Sequence, residues 1–148
     1  MANLFLRFDP PIDGGSVDDK FAKQIVVQSF SWGETNDSNT VTAQDFHFAA
    51  DTDRQSPRLL QACAEGTLFN SAELNMVNEQ TGAAFYTIKL SNVQISSYSV
   101  GASAGGTPRP IDQASLRFRI IDNTFRPQKP DGSLDAGIVG HVDFGKPK

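Results

Sequence analysis

The chain has 148 residues, enough for one domain with its own core and too few for two ordinary ones. Its 13 Lys and Arg stand against 17 Asp and Glu, a net charge of -4, so there is no basic footprint for a phosphate backbone and no nucleic-acid partner is expected. No apolar run approaches the length of a bilayer crossing, which predicts no membrane insertion.

The N-terminus, MANLFLRFDPP, lacks the basic start and apolar stretch of a secretory signal, so synthesis and folding in the cytosol are expected. Cys63 is the single cysteine, which excludes an internal disulfide and fits a reducing compartment. Eleven Phe, with Val and Ile in short runs, favour a core made of sheet faces.

In chain order, Leu4, Leu6 and Phe8 alternate with Phe5 and Arg7 as in a strand, which Asp9-Pro10-Pro11 ends. The same pattern predicts strands at Gln24 to Trp32, Thr40 to Phe48, Ala72 to Val77, Ala84 to Leu90, Val93 to Val100, Ser115 to Ile121 and Ile138 to Phe144. Between the third and fourth lies one short helix of about residues 57–65. Ser56 is suited to cap it, Pro57 to its first position and Gly66 to its stop, with Leu59, Leu60 and Cys63 on one face. Loops are expected at Asp9 to Asp19, Gly33 to Asn39 and Gly101 to Pro110, and a tight turn at Pro130-Asp131-Gly132. Eight short strands with one helix predict a mainly β single domain over 1–148, a small barrel or sandwich.

Gly101-Ala102-Ser103-Ala104-Gly105 spells G-x-S-x-G, and Asp112, Asp122, Asp131, Asp135 and then His141 follow in the order of a hydrolase triad. Such a nucleophile elbow runs straight into a helix, whereas Pro108 and Pro110 forbid one here. A serine hydrolase using Ser103 is therefore a remote alternative, and the chain is not expected to be an enzyme. His47 and His141 stand alone in strand patterns without ligand spacing. The acidic loop with Asp9, Asp13, Asp18 and Asp19 lacks the order of a calcium site, and the glycine loop lacks the ending of a phosphate-binding loop. Asn36-Asp37-Ser38 is a formal glycosylation sequon that needs a secretory route to be read. No cofactor or metal is expected. A monomeric β-barrel binding a small ligand stays open as an alternative.

Several stretches together are more specific than any of these motifs. Phe30-Ser31-Trp32-Gly33 is followed by Gln44-Asp45-Phe46-His47-Phe48 and by Asp53-Arg54-Gln55-Ser56-Pro57-Arg58-Leu59-Leu60. Further on come Tyr86-Thr87-Ile88-Lys89-Leu90, Val93-Gln94-Ile95-Ser96-Ser97, the glycine loop, and Pro127-Gln128-Lys129-Pro130-Asp131-Gly132-Ser133. In this order the chain resembles the haemolysin-coregulated protein (Hcp) family of type VI secretion over essentially its whole length.

That resemblance implies a small β-barrel of two packed antiparallel sheets with one helix at its side. It implies six copies in a head-to-tail ring, rings stacked into a tube, a spike at the tip, a contractile sheath that expels the tube, and effectors carried in its lumen. Export to the extracellular space or a target cell would then need no signal peptide. It also implies that Ser31 and Ser103 line the lumen, and that Gly33, Glu34, Thr35, Asn36, Asp37, Ser38 and Asn39 form the ring-stacking loop. That loop is shorter than in many relatives. Ala102 and Ala104 stand where glycine is common, Phe125 where an aromatic hydroxyl is common, and Asp112 where glutamate is more frequent.

Overall fold

The computed structural model describes residues 2–78, 80–102, 110–131 and 133–145. Period-2 apolar patterns become strands β1 (Ala2–Asp9), β2 (Ile25–Ser31), β3 (Glu34–Asp37), β4 (Thr40–Ala43) and β5 (Phe46–Asp51). After the helix α1 (Ser56–Glu65) come β6 (Leu68–Asn78), β7 (Ala84–Gly101), β8 (Ile111–Arg117), β9 (Ile120–Phe125) and β10 (Ile138–Asp143).

The large sheet runs β10-β9-β7-β6-β1-β2-β5-β8, and β8 returns to pair with β7. Strand β7 makes that closure possible because it is 18 residues long. Its first half, to Gln94, pairs with β6, while Gln94 to Gly101 pairs with β8. Six strands thus close into a barrel, and β9 and β10 extend from the free side of β7 at Tyr86 to Ser91.

Inward positions fill the barrel with Leu6, Phe8, Ile25, Val27, Phe46, Phe48, Leu74, Ile88, Leu90 and Leu116, all buried. Burying one such side chain contributes about 1.5–3 kcal/mol. Phe30 stacks on Phe46 with centroids 5.7 Å apart, and Phe8 meets Phe69 at 4.9 Å. Closure pairs β8 with β7 and, among the described residues, leaves edges where pairing stops short, on β2 after Val27, on β7 after Gln94 and along β10.

Three expectations are corrected. Ala84 to Leu90 and Val93 to Val100 are one strand, because Asn92 takes a left-handed φ of 56° inside β7 instead of turning the chain. Thr40 to Phe48 and Ser115 to Ile121 are each two strands. The first breaks where the Gln44 amide donates to the Gly33 carbonyl, and the second at a corner where the Arg119 amide donates to the Ser91 carbonyl.

The helix ends as expected, with Gly66 at φ 67° and the Thr67 amide bonded to the Ala62 carbonyl. Gln55 rather than Ser56 occupies the N-cap, and no side chain caps the first turn. Leu59 and Ala62 face the barrel while Leu60 is 57% exposed, so the expected Leu59, Leu60, Cys63 face is rotated toward Ala62. Cys63 is half-buried and packs at the margin of the core.

Ser56 has another task. Its hydroxyl donates to Asp112 on β8, as do Thr52 Oγ1 (2.9 Å), Tyr98 OH (2.9 Å) and Gln55 Nε2 (3.4 Å). Asp112 is fully buried, so these four donors are what make its burial tolerable, and they tie the start of α1 to β7 and β8. Burial, and then the hydrogen bond to and charge of Asp112, hold the Tyr98 hydroxyl above its ordinary pKa.

Candidate functional site

The alternation that buries Phe46, Phe48, Ala114, Leu116 and Ile95 sends their neighbours outward on β5, β8 and β7. Cross-strand register then assembles two rows. Ser31, His47, Ser115 and Ser97 lie side by side, and next to them Ser29, Ala49, Gln113 and Ser99. Irregularities between Val27 and Ser29, and between Ile95 and Ser97, set this register at both margins. The result is a shallow concavity of about 430 Å³ on the outer side of β2, β5, β8 and the second half of β7.

Within the two rows there is no carboxylate, ammonium or guanidinium; the groups presented are hydroxyls, one amide and one imidazole. Ser115 lies at the floor, 8% exposed, and its Oγ is 2.7 Å from His47 Nδ1. This is the distance of a nucleophile and its base. However, strand pairing with β5 and β7 engages β8 backbone around Ser115, so donors for an oxyanion are not gathered as they are at a helix N-terminus. Nor does a carboxylate orient the imidazole among the described residues. The arrangement suits hydrogen bonding over an area rather than chemistry at a point.

The opposite half of the sheet contrasts with it. Arg7, Glu73, Lys89, Asp122 and His141 stand opposite one another across β1, β6, β7, β9 and β10, a ladder of alternating charge. Arg7 meets Glu73 at 3.5 Å, and His141 Nδ1 meets Asp122 at 2.5 Å. The two histidines therefore sit in separate parts of the sheet, and no cluster of three or more metal-ligating side chains occurs among the described residues.

Ser31 ends β2 in the first row of the concavity, opposite His47. Ser103 lies outside the described residues. The segment that carries it leaves β7 at Gly101 and returns to β8 at Ile111, which are paired. Gly33 to Asn39, expected as a loop, is largely one arm of a hairpin in which β3 pairs with β4. Ser38 and Asn39 make the turn with φ of 54° and 68°, the left-handed pair that a two-residue hairpin turn requires. All four residues of β3 are exposed, and the hairpin forms a sheet of its own. The rest of the serine rows escaped residue-by-residue reading. The signal was present in the alternate serines of Ser97-Tyr98-Ser99 and the outward His47 between Phe46 and Phe48, but register is needed to join them.

Comparison with known proteins agrees with this architecture. The family model described as "Type VI secretion system effector, Hcp" matches residues 5–125. Protein hcp1 of Pseudomonas aeruginosa is 33% identical over 101 residues, covering 67% of this chain and 62% of that one, so the chain matches less than two thirds of that relative's length. A solved structure of a type six secretion system protein superposes with a TM-score of 0.86 at 26% identity, covering 95% of this chain and 93% of that one. Hcp1 from Salmonella typhimurium shares the fold with a TM-score of 0.83 at 24% identity, over 97% and 95% of the two chains.

Fold and family thus define a β-barrel protein of type VI secretion. The chain belongs to the Hcp family, and that family is one of secreted structural tube proteins.

Proposed function

We propose that this chain is the ring-forming subunit of a type VI secretion tube, six copies joining head to tail with the serine face turned to the lumen. The observation that carries this reading is a pair of unpaired half-edges at opposite ends of that face. Strand β1 pairs with β2 only at Ile25 to Val27, so Gln28 to Ser31 have no strand on that side among the described residues. Strand β6 leaves β7 at Gln94, so among the described residues Ile95 to Gly101 have β8 on one side and no strand on the other.

Backbone donors and acceptors without a strand partner are templates for strand addition. Because one half-edge belongs to β2 and the other to β7, joining them between copies is a heterologous contact that repeats around an axis. Each junction would also continue the serine rows of one copy into the next.

Stacked rings, expulsion by a sheath, a spike at the tip and effectors in the lumen follow from family membership as parts of the same proposal. The β3–β4 hairpin, free of the main sheet, suits the contact between rings. A monomeric ligand-binding barrel would need an interior space, whereas this interior is filled by Phe46, Leu6, Leu74 and Ile88, each nearly inaccessible. Electron microscopy of the purified protein tests the reading. Rings of six with the Ser31 row lining the channel are expected. Isolated single chains, or rings with that row on the outside, would overturn it.

A further inference from the structure

We propose that His47 sets the charge of the serine face, so that this face accepts segments regardless of charge when the imidazole is neutral and selects carboxylate-bearing segments when it is protonated. The inference rests on the lumen reading above. It starts from the composition of the two rows, in which His47 carries the one ionisable side chain, an imidazole, the side-chain type that ordinarily changes charge near neutral pH.

What faces His47 is uncharged on every strand. On β2 these are Ser29 and Ser31, on β8 Gln113 and Ser115, and on β7 Ser97 and Ser99. Charged groups begin at the margins. Along the same stretch of chain, Asp45 accepts the Ser96 hydroxyl at 2.6 Å, and Asp51 accepts the Gln28 amide at 2.5 Å. Arg117 follows Ser115 by two residues on β8, exposed and opposite Gln94. Among the described residues no carboxylate bonds to the imidazole, whose partner is Ser115, so a proton gained there appears as net charge in the middle of the face.

Ser115 makes the change of state possible without loss of the local contact. With Nδ1 unprotonated, the Ser115 hydroxyl can donate to it at 2.7 Å; after protonation Nδ1 donates and the hydroxyl accepts. The second ring nitrogen has no hydrogen-bond partner among the described residues and is available to a bound segment. In a ring of six, the same event repeats around the channel. The band then changes from uncharged to uniformly cationic, in an enclosure where charges are less well screened than on an open surface.

The test uses rhodamine-labelled peptides of one length, alternating Ser with Glu, Lys or Gly, and reads fluorescence anisotropy on the assembled protein at low salt. Between about pH 8 and pH 5.5 the Glu peptide is expected to bind at least roughly fivefold more tightly, the Lys peptide more weakly, and the Gly peptide unchanged. His47→Gln, whose amide can still meet Ser115, should remove both pH effects, while His141→Gln should keep them.

Identical pH responses in wild type and His47→Gln would overturn the proposal, as would a wild type that does not discriminate or binds none of the peptides. Native mass, measured on the same samples, reads the ring separately. A single chain would overturn the assembly reading, while the His47→Gln comparison on that chain would still decide the role of the histidine.

Discussion

Replacing Asp112 by Ala should be among the most damaging single substitutions in the chain. The carboxylate is completely buried and receives four donors, from Thr52, Gln55, Ser56 and Tyr98. Alanine leaves those donors in a dry site with nothing to accept them, and truncating one side of a buried charged network costs about 3–5 kcal/mol. For a domain of this size that corresponds to a fall in Tm of roughly 10–15 °C.

Asn should cost less, about 1–2 kcal/mol. Gln55 Oε1 is buried without a hydrogen-bond partner among the described residues, and a rotated Gln55 could offer it to the new amide donor. Calorimetric melts of wild type, Asp112→Asn and Asp112→Ala give the order directly. An Ala variant melting within about 2 °C of wild type would refute the claim that Asp112 clamps α1 to the barrel.

The same network predicts a dependence on high pH. The folded-state pKa of Tyr98 is raised, so its stabilising effect is complete below the ordinary tyrosine value of about 10 and is lost as pH rises through the folded-state value. Denaturant unfolding above about pH 10 should therefore show a steeper loss of stability in wild type than in Tyr98→Phe. Absorbance titration should show Tyr98 ionising later than an exposed tyrosine. Ser31→Trp, at an exposed position of the serine face, should leave the melt within about 1 kcal/mol of wild type but abolish retention of co-expressed effector in pull-down. Ser38→Pro cannot adopt the left-handed φ of 54° and should open the β3–β4 hairpin. Rings should survive while stacked tubes disappear from micrographs, and tubes of wild-type length would disprove the stacking role of this arm.

Strand positions were readable where one face is buried, because Phe46 and Phe48 on either side of His47, or Leu6 and Phe8 beside Arg7, leave little choice of register. The helix stop was readable from Gly66 for a similarly local reason. What sequence alone could not show was continuity across Asn92, whose left-handed backbone looks like a turn signal but is absorbed within a paired strand. The hairpin at Ser38-Asn39 was missed because neither residue is the glycine that usually marks such a turn.

Ser31 gained meaning from long-range pairing. Residues 47, 97 and 115 become its neighbours only once β2, β5, β8 and β7 are in register. Asp112 was noticed as a single acidic position, while its role came from Thr52, Gln55 and Ser56 arriving from a distant segment.

The most direct test of the central claim is the native mass of the purified chain by light scattering across a size-exclusion peak. Half-edges at Gln28 to Ser31 and Ile95 to Gly101 that join copy to copy predict an assembly of six 16.0 kDa chains. A stable peak at the mass of one chain, persisting as concentration is raised, would contradict the account.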